Sequence, residues 1–182
     1  KQAQSRLKEL ERMETIAPAH IDSPFHFRFD CAEKMSNPLL NLSHMDIGYA
    51  DAPVLRNVHQ SIDPSTRIGL LGPNGAGKSS LIKTLAGSLN AISGERVSGE
   101  HLRIGYFAQH QLEALDLDAS AALHLQRLSP KASEQQLRTF LGGFGFHGDR
   151  AFETIRHFSG GEKARLALSI IAWQKPNLLL LD

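Results

Sequence analysis

The chain has 182 residues, of which 41% are hydrophobic, so it can bury a core of ordinary domain size. Its 20 basic and 19 acidic residues leave a net charge of +1, which gives no electrostatic argument for a nucleic acid or an anionic membrane as partner. A single cysteine excludes an intrachain disulfide, and no apolar run is long enough to span a bilayer, so we expect a cytoplasmic protein.

The first part of the chain predicts a helix followed by an extended stretch. Apolar residues recur at three- and four-residue spacing over residues 1–14, which is typical of an amphipathic helix. Pro18 and Pro24 interrupt this pattern, and residues 25–29 then alternate with the period of a strand. Residues 1–35 are therefore predicted to lead into a separate domain over residues 36–182.

A phosphate-binding loop follows two predicted strands, residues 39–45 and 55–62. An apolar segment, residues 67–71, is predicted as a third strand that enters the loop. The loop matches the pattern G-x-x-x-x-G-K-[ST] at every required position. Its residues are Gly72, Pro73, Asn74, Gly75, Ala76, Gly77, Lys78, Ser79 and Ser80.

The chemistry of a triphosphate explains these residue types. Glycine has no Cβ, so a glycine-rich loop can wrap the phosphates with backbone N–H groups. A helix predicted to begin near Lys78 directs its unpaired N–H groups and positive dipole end at the same anion. Lys78 adds a full positive charge, and Ser79 offers a hydroxyl to Mg²⁺, which prefers oxygen ligands. The loop therefore predicts that ATP and Mg²⁺ bind here.

The second half of the chain predicts a helical insertion between two strands. A turn is predicted at residues 92–95 and a strand at 102–107, with Gln109 just beyond it. Residues 120–152 are leucine-rich with helical periodicity, which predicts a helical subdomain at about residues 115–158, and Ser159 then caps a helix that runs to Trp173. The unbroken leucines before Asp182 predict a buried parallel strand at residues 177–182. The predicted fold is an α/β domain with a mainly parallel core sheet, an antiparallel flank and a helical subdomain.

Together these motifs resemble the ATP-binding-cassette superfamily. The resemblance is carried by the phosphate loop, by Ser159, Gly160, Gly161 and Glu162, and by the leucine strand that ends at Asp182. It implies that Tyr49 stacks on adenine, that Gln109 senses Mg²⁺ and the γ-phosphate, and that Asp182 holds Mg²⁺ through water. Lys78, Gln109 and Asp182 are then the catalytic residues, and Ser79, Gln109 and Asp182 surround the metal.

The same resemblance implies that residues 159–162 contact the ATP bound by a second cassette in a head-to-tail pair. Each assignment also has a purely structural alternative. Tyr49 would be an ordinary half-buried tyrosine, Gln109 a polar loop residue and Asp182 an ordinary strand-end aspartate, and Ser159 is in any case a helix cap.

Finer features resemble the ABC-F family of soluble, ribosome-associated ATPases. These are Glu162 followed by Lys163-Ala164-Arg165, and a charged N-terminal segment like the end of the helical linker between two cassettes. The resemblance implies a second cassette of a two-cassette chain, cut at the Walker B strand, that acts on the ribosome and tRNA. Two alternatives stay open: the ATP-binding subunit of a membrane transporter, and a nucleotide-binding switch without turnover.

The family resemblance also bears on the activity of the chain by itself. In ABC-F proteins a general-base glutamate directly follows the strand-end aspartate, and a histidine further on contacts the γ-phosphate. Both positions come after Asp182. We therefore expect the chain alone to bind ATP and to hydrolyse it very slowly.

Overall fold

The computed structural model of this chain describes residues 27–30, 34–50 and 52–182. The predicted helix at residues 1–14 lies outside the described residues, as do the first two positions of the predicted strand at 25–29. The rest of that strand prediction is wrong, because residues 27–30 have no regular secondary structure. The Phe27 ring instead stacks on Phe144, with ring centroids 4.9 Å apart, so side-chain packing replaces strand pairing there.

An antiparallel three-stranded sheet forms one side of the molecule. Its strands are β1 (Leu40–Tyr49), β2 (Ala52–Ile62) and β3 (Ser93–Ser98), in the order β2-β1-β3. The first two confirm the predicted strands, although both are longer than predicted. The third replaces the turn that the sequence predicted at residues 92–95.

Gly94 explains why that turn prediction is wrong. The residue has a φ of +89°, and a Cβ there would lie 2.4 Å from the carbonyl oxygen of His44 and 2.5 Å from the Cα of Met45. Glycine is therefore needed because β3 passes unusually close to the backbone of β1, and not because the chain reverses direction.

A parallel pair of strands carries the second half of the chain. It consists of β4 (Ile104–Phe107) and β5 (Leu178–Leu181), which are in register from Ile104 opposite Leu178 to Phe107 opposite Leu181. The predicted parallel pairing is confirmed. The predicted coverage on both faces is wrong, because Leu181 is 60% exposed and only Leu180 of this strand is buried.

The strand predicted at residues 67–71 is also absent from the structure. Residues 68–70 line a cavity of about 480 Å³ together with β5, but the segment forms no ladder with that strand. Leu71 is 97% exposed. A strand needs a hydrogen-bonding neighbour, and without one the apolar pattern alone does not produce the extended ladder.

Four α-helices are present among the described residues. They are α1 (Lys78–Ala86), α2 (Ala121–Leu128), α3 (Glu134–Gly143) and α4 (Gly160–Trp173). Ser120, Ser133 and Ser159 cap the last three helices, each accepting a hydrogen bond from a backbone N–H of the first turn. Short 3₁₀ turns occupy Gln109–Leu112, Gly148–Ala151 and Ile155–His157.

Two apolar cores hold these elements together. One lies between the antiparallel sheet, α1 and β5, and includes Leu40, Ile47, Ile82, Leu85 and Leu180. The other lies among α2, α3 and α4 and includes Leu125, Leu137, Leu141, Phe146 and Leu166. The helical region predicted at residues 115–158 thus has its own core, to which α4 also contributes. The boundary between residues 35 and 36 and the limits of the helical subdomain, residues 115–158, remain predictions.

Candidate functional site

The phosphate loop lies on β2 and ends where α1 begins. Gly77 is the N-cap of α1, with a φ of +92°, and a Cβ there would lie 2.9 Å from Cγ1 of Val54. Gly75 also has a positive φ, of 81°. Any other residue would strain the backbone at both positions, so the loop keeps the tight curve that exposes its N–H groups.

Lys78 folds back over the loop that precedes it. Its Nζ donates to the carbonyl oxygens of Gly72 at 2.9 Å and Pro73 at 2.8 Å. An ammonium group has three donors, so one donor remains beyond these two bonds. The positive charge is thus held at the mouth of the loop, next to the amino-terminal end of α1.

Ser79 meets Asp182 at the far end of the chain. The Ser79 hydroxyl donates to Oδ1 of Asp182 at 2.9 Å, across 103 residues of sequence. The other carboxylate oxygen accepts from the hydroxyl of Tyr106 at 3.4 Å. Burial and then the neighbouring Asp182 charge raise the pKa of Tyr106 above its ordinary value, so this phenol stays protonated and donates.

The donor set at this point fits magnesium. A serine hydroxyl and a carboxylate are hard oxygen ligands, and Mg²⁺ bound next to phosphates takes its other ligands from phosphate oxygens and water. No group of three or more His, Cys, Asp or Glu side chains converges on a metal site within the described part of the chain. The arrangement therefore suits a metal that arrives with a nucleotide rather than one held in a protein cage.

A second polar feature forms at the start of α4. The Ser159 hydroxyl accepts from the N–H of Glu162 at 3.3 Å, and Oε2 of Glu162 accepts from the N–H of Ser159 at 2.7 Å. This reciprocal capping box fixes the shape of the turn. Ser159, Gly160 and Gly161 are exposed, and no atom lies within 4 Å of a Cβ built on either glycine.

The remaining predicted residues lie around the loop and the strand ends. Tyr49 ends β1 and is 53% exposed, which leaves its ring face accessible. Gln109 begins the 3₁₀ turn that follows β4. Ser80 is buried, so its side chain faces the interior of the fold, and its backbone carbonyl accepts from the Thr84 hydroxyl. None of the hydrogen bonds of Ser159 or Glu162 among the described residues reaches the phosphate loop.

Two residues at these sites were not predicted from the sequence. Tyr106 reaches Asp182 only because β4 and β5 pair in one particular register. Arg150 donates to Glu162 from a 3₁₀ turn that precedes α4. Neither contact has a sequence signal, because both depend on long-range packing.

The comparisons with known proteins agree with this geometry. The sequence profile of the ABC transporter family matches residues 55–182. The chain belongs to the ABC transporter family. It is an ATP-binding cassette domain, and the match includes the phosphate loop, the Ser159–Glu162 turn and Asp182.

Relatives align over the whole chain. The probable ATP-binding protein YheS of Escherichia coli (strain K12) is 58% identical over 182 residues, which cover 100% of this chain and 29% of that protein. The ATP-binding cassette sub-family F member 3 of Mus musculus is 38% identical over 183 residues, covering 100% of this chain and 26% of that protein. The resemblance to ABC-F proteins is confirmed at this level, and the chain spans less than a third of the length of these relatives.

A solved structure shows the same fold. The ATP-binding subunit of an ABC transporter has a TM-score of 0.66 with this chain at 23% identity, covering 79% of this chain and 65% of that one. The predicted α/β cassette fold is confirmed. In the described residues, no helix has the length and apolarity that a membrane-spanning segment requires.

Proposed function

We propose that this cassette binds ATP with Mg²⁺ and hydrolyses it when it closes against a second cassette. The observation that carries the proposal is the 2.9 Å hydrogen bond between Ser79 and Asp182. It brings the hydroxyl of the phosphate loop and the strand-end carboxylate to one point, where the two groups would hold Mg²⁺ that arrives with a nucleotide.

The surrounding residues have complementary roles. Lys78 exchanges its two loop carbonyl acceptors for phosphate oxygens when nucleotide binds, and Gly72, Gly75 and Gly77 let the loop backbone approach the phosphates. Tyr49 stacks on adenine, and Gln109 senses the metal and the γ-phosphate. Asp182 and Ser79 would hold Mg²⁺, which would neutralise negative charge on the phosphates.

The turn at Ser159–Glu162 serves the nucleotide of the opposing cassette. It is exposed and presents unpaired N–H groups at the start of a 14-residue helix, which suits a phosphate that arrives from outside the domain. A cassette alone therefore binds ATP but hydrolyses it slowly, because this second wall of the site is supplied by the partner.

Lys78→Ala tests the nucleotide site. Hydrogen bonds to charged groups contribute about 1.5–3 kcal/mol, so the variant should bind Mg-ATP at least about tenfold more weakly in titration calorimetry. Lys83→Ala is the matched control, since Lys83 lies in the last turn of the same helix, away from the loop. Equal affinities of the two variants would contradict the assignment.

We further propose that the closing pair acts on the ribosome in the cytoplasm, as the resemblance to ABC-F proteins and the sub-family F relative suggest. Sedimentation with ribosomes in the presence of a non-hydrolysable ATP analogue is the expected result. Recovery in membranes with a separate membrane-spanning partner would instead favour the transporter alternative. ATP-driven closure without any phosphate release would favour the switch alternative.

A further inference from the structure

Arg150 is the centre of a contact network at the start of α4. Its Nε and Nη2 both donate to Oε1 of Glu162, at 3.2 and 2.8 Å, and its Nη1 donates to Glu153 at 2.6 Å. The guanidinium carbon also lies 4.4 Å from the centroid of the Phe158 ring. One side chain from the helical subdomain therefore contacts the residue before Ser159 and the residue that closes the turn.

The two carboxylate oxygens of Glu162 have different partners, the Arg150 guanidinium and the backbone of Ser159. Oε1 accepts from Arg150, while Oε2 accepts from the N–H of Ser159. Burial raises the pKa of Glu162, but the hydrogen bonds from Arg150 and from Ser159 outweigh it and lower the pKa below the ordinary value, so the carboxylate is charged at neutral pH. A glutamine would offer one carbonyl oxygen and no charge, and could not serve both partners in this way.

Phe158 packs against the helical core on the other side of Ser159. Its ring is buried, stacks on Phe146 with centroids 5.4 Å apart, and has Arg150 over its face. A planar guanidinium can stack on an aromatic ring and donate in its own plane at the same time. Both ends of the Ser159–Glu162 turn are thus fixed to the helical core through Arg150.

Three donor groups of this exposed turn remain without an acceptor among the described residues. The N–H groups of Glu162 and Lys163 are taken by Ser159 Oγ and by the Ser159 carbonyl. Within the helix, the N–H groups of Gly160 and Gly161 have no acceptor, and the Ser159 hydroxyl keeps its own proton as a donor. These three donors match the oxygens of a terminal phosphate.

We propose that Arg150 is a positioning residue, which acts through Glu162 and Phe158 to aim Ser159, Gly160 and Gly161 at the γ-phosphate of the opposing nucleotide. The inference rests on the cassette-pair function proposed above. Arg150 touches neither nucleotide. Its substitution therefore weakens closure of the pair and leaves nucleotide affinity at the Lys78 loop unchanged.

The test follows closure and binding separately, in a preparation that contains this cassette and its partner. Closure is followed by energy transfer between one dye on each cassette while adenylyl-imidodiphosphate and Mg²⁺ are titrated. Affinity at the loop is measured by calorimetry with the same analogue. In Arg150→Gln we expect the analogue concentration for half-closure to rise by about three- to tenfold, with loop affinity within about twofold of wild type.

Arg138→Gln is the matched control. Arg138 also lies over a phenylalanine, at 4.5 Å from the Phe152 ring, and pairs with Glu134 at 2.9 Å. The side chains of Arg138 and Arg150 are 35% and 36% exposed, so the two substitutions remove similar interactions at similar depth. Arg138 also donates at 3.0 Å to the carbonyl of Gly148, in the 3₁₀ turn that carries Arg150, but none of its hydrogen bonds or ion pairs reaches the Ser159–Glu162 turn. Its variant therefore loosens the same neighbourhood without removing the Glu162 contact, and it should close like wild type, within about twofold.

Two further measurements separate positioning from general damage. Arg150→Lys keeps the charge without the planar fork. Hydrogen exchange of the hydrogen-bonded amides of Ser159, Glu162 and Lys163 should speed up in both Arg150 variants but not in Arg138→Gln. The Arg150→Gln/Glu162→Gln double variant should close as well as whichever single variant closes less well, because the two residues act as one unit.

The proposal is overturned if Arg150→Gln closes at the wild-type concentration, or if the two arginine variants lose closure equally. Failure of the wild-type pair to close at any analogue concentration would instead refute the cassette-pair function itself, and the role of Arg150 with it. If Arg150→Gln does not fold, the Arg150→Lys variant decides, since wild-type closure and wild-type amide exchange in that variant would also overturn the proposal.

Discussion

At the scale of single residues, the Asp182 carboxylate has two different partners. One oxygen accepts from the Ser79 hydroxyl of the phosphate loop, and the other accepts from the Tyr106 hydroxyl of β4. The first contact joins the carboxylate to the phosphate loop, where the proposed Mg²⁺ would need an oxygen ligand. The second holds the carboxylate in one orientation, so Tyr106 orients Asp182 without needing to contact the nucleotide.

The Tyr106 contact can be measured directly. Replacing Asp182 with Asn removes the charge that raises the pKa of Tyr106 but leaves the burial, which is the larger cause. We therefore expect Tyr106 to ionise at a lower pH in Asp182→Asn than in wild type. The chain has only 2 tyrosines, so an ultraviolet absorbance titration with Tyr106→Phe as the assignment control resolves the change. An unchanged or raised ionisation pH would show that the contact does not exist in solution.

At the scale of elements, two glycines with similar backbone angles have different structural roles. Gly87 ends α1 with a φ of +80°, and no atom lies within 4 Å of a Cβ built there. Gly94 has a φ of +89° in β3, and its Cβ would lie inside the backbone of β1. Gly87 adopts the left-handed conformation that ends α1, whereas Gly94 allows β3 and β1 to approach each other closely.

This difference predicts unequal effects of alanine. Gly87→Ala incurs only the left-handed backbone cost of about 1 kcal/mol, whereas Gly94→Ala must also displace β1 and should lose at least about 2 kcal/mol. The measurement is the free energy of unfolding from urea titrations of both variants and wild type. Equal losses in the two variants would mean that β3 does not pack on β1 as closely as described.

At the scale of the whole molecule, α4 connects the two halves of the cassette. It supplies Leu166 to the helical core, and Cγ2 of its Ile171 would lie 2.5 Å from a Cβ built on Gly105 of β4. The turn at the start of α4 is therefore packed, through one rigid helix, against the strand pair that ends at Asp182. In the cassette pair proposed above, this turn would face the opposing nucleotide while α4 contacts both halves of its own cassette.

Ser159→Arg tests whether that turn works across the cassette pair. The bulky cation should block ATP-driven closure while changing affinity at the Lys78 loop by less than about twofold, because the turn does not contact its own loop. Ser133→Arg is the control, since Ser133 caps α3 with the same kind of capping box and losing either cap costs about 1 kcal/mol. Loss of nucleotide binding at its own loop in Ser159→Arg, or equal loss of closure in both variants, would contradict the arrangement.

The sequence by itself determined the features that depend on neighbouring residues. The phosphate loop, the start of α1 at Lys78 and the Ser159 cap of α4 are specified within a few positions, because their hydrogen bonds join residues close in the chain. Residues 39–45 and 55–62 were also predicted as strands, and β1 and β2 confirm them. The family could be recognised from these local motifs alone.

Only the tertiary structure decided the features that depend on pairing between distant segments. Residues 67–71 have the apolar composition of a strand, but no neighbouring strand pairs with them. Gly94 is a residue type typical of turns, but it lies where the backbones of β3 and β1 come very close together. The bonds from Ser79 to Asp182 and from Arg150 to Glu162 likewise depend on how helices and strands pack. Composition limits which residues can make such contacts, whereas strand register and core packing determine which of them form.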